Sequence, residues 1–366
     1  MKQIMIVMGT RPEAIKLCPL VQELKKRQSL RVSVCAVEQH SDLLKTVLDT
    51  FGVRADFLLK IDRAEGCVGS LTASILEKIS VLLSSESPDL VLVQGDTATA
   101  LAAGLAAFYQ KIPVGHVEAG LRTYRLDAPF PEELHRRVLS LITKYHFAPT
   151  LLSKRNLLRE GIARDRVHLT GNTAVDTLRM SLSGELGEVS LKIPVGKRLI
   201  LFTAHRRESL GEPLRGMLRA LRRVVEETPD VVALCPLHPN PKIREIATQE
   251  LSNATRIRVT EPPNFVNFHR LLAKSYLVMT DSGGIQEETV TLGIPTVVMR
   301  YSSERTEGMC AGVLRLAGSD EEGIYEVVKR LLEPDSPEYA AMKKPSPVFG
   351  DGRASVRIAD LLEKIS

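Results

Sequence analysis

The stretch MTDSGGIQEE, residues 279–288, sets two glycines after an apolar run and two glutamates within about one helical turn of them. A glycine turn that opens a helix points backbone N–H groups at a phosphate without interference from a Cβ. Ser282, Gly283 and Gly284 are therefore candidates to hold a phosphate. A carboxylate one turn further along opposes phosphate, but it accepts hydrogen bonds from two adjacent hydroxyls, as on a ribose. Together the turn and Glu288 fit a nucleoside diphosphate, with phosphates at the glycines and ribose at the glutamate. The competing reading is a helix cap followed by solvated glutamates.

Other chemistry-bearing residues also follow apolar runs. Arg11, in GTRPEA, stands where a helix would open, because Pro12 suits a first turn and Glu13 suits the positive end of the helix dipole. It suits two parallel hydrogen bonds to a phosphate, or a surface position. The spacing is not GxGxxG, so a dinucleotide fingerprint is absent. Asp96 follows LVLVQG and also fits an N-cap. Glu118 follows PVGHV and precedes a glycine turn, an expensive place for a carboxylate without a partner. Glu132 and Glu133, behind Pro131, also fit charges that complement a helix dipole. His205 follows RLILFTA with Arg206 and Arg207 beside it, which favours an anionic ligand over a structural histidine, and His238 follows VVALCPL in the same manner.

These residues need a scaffold that collects strand ends. Strand-length apolar runs occur at 3–8, 31–37, 89–94, 113–118, 145–148 and 167–170, and again at 198–205, 231–238, 256–261, 276–281 and 296–300. Helix-period segments at 13–28, 41–51, 68–84 and 97–110 separate the early ones. Strands apolar on both faces and separated by helices predict parallel sheets covered on both sides. The polar, glycine-containing stretch 183–197 reads as a connection, and PSPVFGDGRAS as a turn before a final helix over 354–365. The expected organisation is α/β, with two Rossmann-like parallel-sheet domains facing a central cleft: residues 1–170, with the C-terminal helix 353–366 packing back on them, and residues 171–352 as the nucleotide-binding half. Ligands of such sheets sit beyond the carboxyl ends of the strands.

Composition narrows the classes. With 366 residues, 44% hydrophobic and 25% charged, the chain suits a globular protein of about two domains. A net charge of +5 spread along the chain, with 4% aromatics, argues against nucleic acid and for a few placed arginines at a small anion. No apolar run of about 18 residues is evident, so no membrane-spanning helix is expected. Five scattered cysteines without a CxxC pair suit free thiols in a reducing compartment, hence the cytoplasm.

The stretches GTRPEAIK (9–16), QGDT (94–97), AAFYQKIPVGHVEAGLRT (106–123), FPEE (130–133), HRRES (205–209), TDSGGIQEE (280–288) and FGDG (349–352), in this order, resemble the non-hydrolysing UDP-N-acetylglucosamine 2-epimerases. The resemblance implies a GT-B type fold, a UDP-sugar substrate, a homodimer, and no metal or nicotinamide cofactor. It implies catalytic roles for Asp96, Glu118, Glu132 and His205, and UDP contacts for Arg11, Phe268, Ser282, Gly283, Gly284 and Glu288, with Phe268 against the uracil. Lys16, Gln39, His40 and His238 match positions around the substrate and a regulatory site. The implied reaction is reversible C2 epimerisation to UDP-N-acetylmannosamine through loss and return of UDP, supplying surface polysaccharides.

Three departures from the family pattern stand out. His135 replaces an asparagine, Thr306 replaces a proline, and QHSD (39–42) lacks an arginine where a second sugar nucleotide would bind as activator. Alternatives are a hydrolysing epimerase that releases N-acetylmannosamine and UDP, an epimerase of a modified UDP-sugar such as a diacetamido uronic acid, and a UDP-sugar-binding glycosyltransferase or sensor.

Overall fold

The computed structural model describes residues 1–38, 41–61, 67–186, 196–204, 206, 209–237 and 240–364, and leaves aside the side chains of 41 and 42. Two compact units result, Met1–Arg179 with Gly350–Ser366, and Met180–Phe349.

The first unit is built on seven strands: β1 (Lys2–Met8), β2 (Leu30–Glu38), β3 (Phe57–Lys60), β4 (Leu90–Gln94), β5 (Val114–Val117), β6 (Tyr145–Ala148) and β7 (Val167–Leu169). All pairs are parallel, in the order β3-β2-β1-β4-β5-β6-β7. Ile4, Ile6, Leu90 and Leu92 are fully buried, as strands covered by helices on both faces require. The order reverses between β1 and β4, so the connections after these strands leave in opposite directions and open a crevice at their carboxyl ends. Gly9 ends β1 there; a Cβ on it would lie 2.3 Å from Thr99 Oγ1, so only glycine lets this turn approach the helix Ala98–Tyr109.

The second unit repeats the plan with β8 (Arg198–Thr203), β9 (Val231–Pro236), β10 (Ile257–Thr260), β11 (Leu277–Thr280), β12 (Thr296–Val298) and β13 (Leu314–Leu316). Its parallel order is β10-β9-β8-β11-β12-β13, with the reversal between β8 and β11. The two Rossmann-like α/β halves are those expected from the alternating apolar runs. Two edge strands escaped that reading. β3 alternates partly buried and exposed residues and β13 has three residues, so neither makes a long apolar run.

The final helix, Ala354–Lys364, belongs to the first unit, where the Asp176 carboxylate accepts from the N–H groups of Ala354 and Ser355 at its first turn, at 3.1 and 2.8 Å. Most of the expected connection at 183–197, residues 187–195, lies outside the described residues. The five cysteines carry no disulfide.

One helix was not singled out in the sequence for its apolar length, a test that core helices of globular proteins also pass. The helix Val68–Glu86 is, by length and composition alone, long and apolar enough to cross a membrane. Leucines and isoleucines in it are separated by serines and the Glu77–Lys78 pair, which hides the apolar content from a search for an unbroken run. Ile75, Ile79 and Leu83 pack into the core of the first unit, which accounts for one face of the helix.

Candidate functional site

In the first unit the candidate residues follow β1, β4 and β5. Thr10 caps the helix Arg11–Lys25, its hydroxyl accepting from Glu13 N–H, and Arg11 stands at the first helical position. Glu13 is fully buried: it accepts from Gly9 N–H at 3.0 Å and from Thr97 Oγ1 at 2.6 Å, and so ties the turn after β1 to the turn after β4. Burial raises its carboxyl above the ordinary range despite these bonds. One turn on, Lys16 Nζ lies 2.5 Å from Glu118 Oε2, and the same oxygen accepts from Asn172 Nδ2 at 3.1 Å. Glu118 adopts a left-handed backbone, φ 65°, immediately after β5. A non-glycine residue held there stores strain of order 1–3 kcal/mol, which the surrounding bonds must offset.

Asp96 is not the N-cap of the following helix. Thr97 takes that position, its hydroxyl accepting from Ala100 N–H at 3.0 Å, and so frees the Asp96 carboxylate, which meets Arg136 at 3.2 Å. Burial raises the Asp96 carboxyl; Arg136 and Lys16 pull it down, while Glu118 and Glu132 push it up. The structure thus gathers Lys16, Asp96, Glu118 and Glu132 into one electrostatic neighbourhood.

The helix Glu132–Ile142 separates its two leading glutamates. Adjacent helical residues point about 100° apart, so one can face the core and the other outward. Glu133 is fully buried and accepts from the N–H groups of Thr123 and Tyr124 at 2.9 and 3.0 Å, which makes it a loop anchor. Glu132 is partly exposed and sits among the other carboxylates. His135 and Arg136 follow on the inner face, and His135 Nδ1 lies 2.8 Å from the Asp96 carbonyl.

In the second unit Ser282 precedes the helix Gly283–Leu292, and its side chain caps nothing. Gly284 is exposed, and a Cβ there would meet nothing within 4 Å. Gly283 is buried, and a Cβ on it would come within 3.0 Å of the Arg305 guanidinium. Here too a pair of adjacent glutamates is divided. Glu287 is buried and accepts from Arg305 Nε at 2.8 Å. Glu288 has one oxygen 3.3 Å from His269 Nε2, while the other is buried and without a partner among the described residues. His269 Nδ1 is in turn 2.9 Å from Ser181 Oγ. Phe268, on the helix Phe265–Ala273, is partly buried against a cluster that includes Leu201, Leu272 and Ile294.

Behind the glycine turn lies a charged group that sequence reasoning missed. Glu304 receives Arg206, Arg300 and Arg305 at 3.1, 2.9 and 2.9 Å. Burial opposes its charge, and the three arginines overcome that and hold its carboxyl down to about 2. Buried Asp281 accepts from Arg206 N–H and Ser209 Oγ. Acidic residues among arginines around a glycine turn were the available signal. Thr306 occupies the first, exposed position of the helix Thr306–Cys310, where proline and threonine both fit, so that departure leaves the backbone unchanged.

The structure therefore brings Lys16, Asp96, Glu118 and Glu132 together in the first unit, with Arg11 opening the helix that carries Lys16. It brings Ser282, Gly283, Gly284 and Glu288 to one helix of the second, with His269, next to Phe268, reaching Glu288. Gln39, His40, His205 and His238 lie outside the described residues. Among the described residues no three or more His, Cys, Asp or Glu side chains are grouped to hold a metal ion.

Residues 22–363 match the family described as UDP-N-acetylglucosamine 2-epimerase. The chain is 46% identical to the UDP-N-acetylglucosamine 2-epimerase of Bacillus subtilis, over 98% of this chain and 94% of that one. Among solved structures it is similar to the UDP-GlcNAc 2-epimerase from Neisseria meningitidis bound to UDP-GlcNAc, with TM-score 0.94 and 40% identity over 99% of this chain and 100% of that one. It is also similar to the S. aureus MnaA–UDP co-structure, with TM-score 0.91 and 40% identity over 99% and 96%.

Proposed function

The chain belongs to the UDP-N-acetylglucosamine 2-epimerase family and is an isomerase of that class, and from this premise we propose that it inverts C2 of UDP-N-acetylglucosamine by eliminating UDP and adding it back. The C2 hydrogen is not beside a carbonyl, so its direct removal is too costly. When a base takes the C2 proton, the C–H electron pair forms a C1=C2 double bond, and the C1–O bond breaks with its pair leaving on UDP. The product is 2-acetamidoglucal. Return of a proton to the opposite face of C2, with attack of the UDP oxygen on C1, gives UDP-N-acetylmannosamine. Atoms and electrons balance without a co-reactant.

The observation that carries this reading is the carboxylate neighbourhood of the first unit. Proton removal and return on opposite faces call for two groups, one able to hold a proton near neutrality. Asp96, raised by burial and by Glu118 and Glu132, suits the acid; Glu118, ion-paired with Lys16, suits the base, with Glu132 beside them. At the nucleotide end, the backbone N–H groups of Ser282–Gly284 suit the diphosphate. The family resemblance assigns Arg11 a UDP contact and His205 a catalytic role, and as cations both suit the departing charge. The unpartnered oxygen of Glu288 suits a ribose hydroxyl, and Phe268 suits the uracil.

The test is proton NMR of UDP-N-acetylglucosamine with the protein in D₂O. Both UDP-sugar epimers should appear, carrying deuterium at C2, and E118Q and D96N should each lose this exchange. Free N-acetylmannosamine with UDP would identify a hydrolase, and epimer without deuterium would remove the elimination route.

We further propose a homodimer through the outer face of the helices Val68–Glu86, Ala98–Tyr109 and Glu132–Ile142. These neighbouring helices expose Val81, Phe108, Tyr109, Leu134 and Leu141, the last at 81% exposure, apolar side chains that a second copy would cover. Light scattering should give a dimer mass for the parent and a monomer mass for L141E/F108E. The unpaired thiols suit a cytoplasmic setting, and supply of surface polysaccharides rests on the family resemblance alone.

A further inference from the structure

We propose that His116 and His135 are positioning residues that fix the Asp96 carboxyl by donating N–H groups to the consecutive main-chain carbonyls of Gly95 and Asp96. The inference rests on the reading of Asp96 as a proton-transfer group.

The turn after β4 is gripped from two sides. From β5, His116 Nε2 lies 2.7 Å from the Gly95 carbonyl oxygen. From the helix Glu132–Ile142, His135 Nδ1 lies 2.8 Å from the Asp96 carbonyl oxygen. A carbonyl only accepts, so a proton sits on Nε2 of His116 and on Nδ1 of His135. His116 is fully buried and its Nδ1 has no partner among the described residues, which leaves its one proton on Nε2. Burial, the largest influence, pushes His116 down to about 4, so it stays neutral across the working range.

Among the described residues the turn has little else to hold its carbonyls. Gly95 takes a left-handed conformation, φ 72°, and its N–H reaches the Val117 carbonyl at 3.0 Å, after which the β4–β5 ladder ends. Arg136, next to His135 on the same helix, meets the Asp96 carboxylate. One helix thus locks both the main chain and the side chain of Asp96. Proton transfer to carbon depends steeply on placement; a shift of about 1 Å costs on the order of 100-fold in rate. An asparagine at 135, the residue of the family pattern, presents an amide Nδ2–H at the reach of the imidazole Nδ1–H. The departure therefore preserves a donor to the turn.

Three variants and one spectrum test this. H135L removes the donor and should lower kcat at least 10-fold with KM within about twofold, since KM reports mainly nucleotide contacts. H135N should retain at least half of the parent kcat. ¹⁵N imidazole spectra of the parent at pH 7.5 should show the Nδ1–H tautomer for His135 and the Nε2–H tautomer for His116, a readout that does not need an active or even a folded variant. An Nε2–H tautomer at His135, or H135L with parental kcat, overturns the proposal. D96N separates the two layers. D96N inactive with H135L unaffected removes the positioning role alone, whereas D96N that still exchanges C2 removes the role of Asp96 itself.

Discussion

The Lys16 ammonium lies 2.5 Å from Oε2 of Glu118, across 102 residues of sequence, and the side chains of both are largely buried, at 17% and 9% exposure. A buried pair of this kind is costly to break, because the surviving charge has no water to replace its partner. If Glu118 is the base proposed above, Lys16→Met should therefore disturb proton transfer rather than substrate capture. The expected result is a fall in kcat of about 10²–10³-fold, the range of a lost general acid–base contact, with KM little changed. Steady-state kinetics alongside C2 deuterium exchange measures both. A variant that raises KM alone would make Lys16 a binding residue.

Glu287 and Glu288 predict opposite outcomes for adjacent substitutions. Glu287→Ala breaks the buried pair with Arg305 and should lower stability by about 3–5 kcal/mol in denaturant unfolding. Glu288→Ala removes an oxygen that already lacks a partner and one long contact, 3.3 Å to His269 Nε2, so unfolding should move by about 1 kcal/mol, well short of the Glu287 variant. Isothermal titration with UDP should instead show affinity at least 10-fold weaker for Glu288→Ala. Unchanged UDP affinity in that variant would sink the ribose assignment.

Glu13 links two active-strand turns through Gly9 N–H and the Thr97 hydroxyl. Glu13→Ala strands both donors in a buried place, which should cost about 2–4 kcal/mol. Glu13→Gln keeps one carbonyl oxygen as acceptor and should cost less. Urea unfolding of the two variants orders them. Equal losses would show that filling the space, and not accepting the two bonds, is what Glu13 contributes.

His116 and His146 pair across β5 and β6 and are both fully buried. Burial, the largest influence in each, pushes them down to about 4 and about 3, with Arg122 beside both and Arg166 near His146 adding to the effect; the Gly95 carbonyl and Glu118 at His116, and the Thr143 backbone at His146, oppose it. In the unfolded chain each returns to about 6.5. The unfolded state therefore binds more protons below about 6.5. Stability is fully present above that pH and is lost as pH falls toward the folded values, by up to about 1.4 kcal/mol per pH unit per histidine. The raised carboxyls of Glu13 and Asp96 act in the opposite sense, so the comparison with a variant isolates the effect. His146→Phe should flatten the dependence of unfolding free energy on pH between 6.5 and 4.5. An identical slope in parent and variant would falsify the buried neutral state.

Much of the site was legible in the sequence because its demands are local. A parallel sheet writes itself as apolar runs of strand length between helices. Its ligands gather at carboxyl ends, and the turns there use glycine at Gly9 and Gly283 for close approach and at Gly95 for left-handed backbone. Strand ends and glycine turns therefore marked Arg11, Asp96, Glu118 and Ser282–Glu288 before any coordinates.

Tertiary structure decided the partners. Sequence could not say which of Glu132 and Glu133, or of Glu287 and Glu288, faces inward, because helical neighbours differ only in azimuth and the direction of the core is a property of packing. Nor could it pair Lys16 with Glu118, or set His116 and His135 on the two carbonyls of one turn, since those contacts span 102, 21 and 39 residues. Local chain chemistry determined where the charged groups stand along the backbone. Only the folded sheet, by bringing β1, β4 and β5 side by side, determined which charges meet, and so which carboxylates anchor loops and which remain candidates for chemistry.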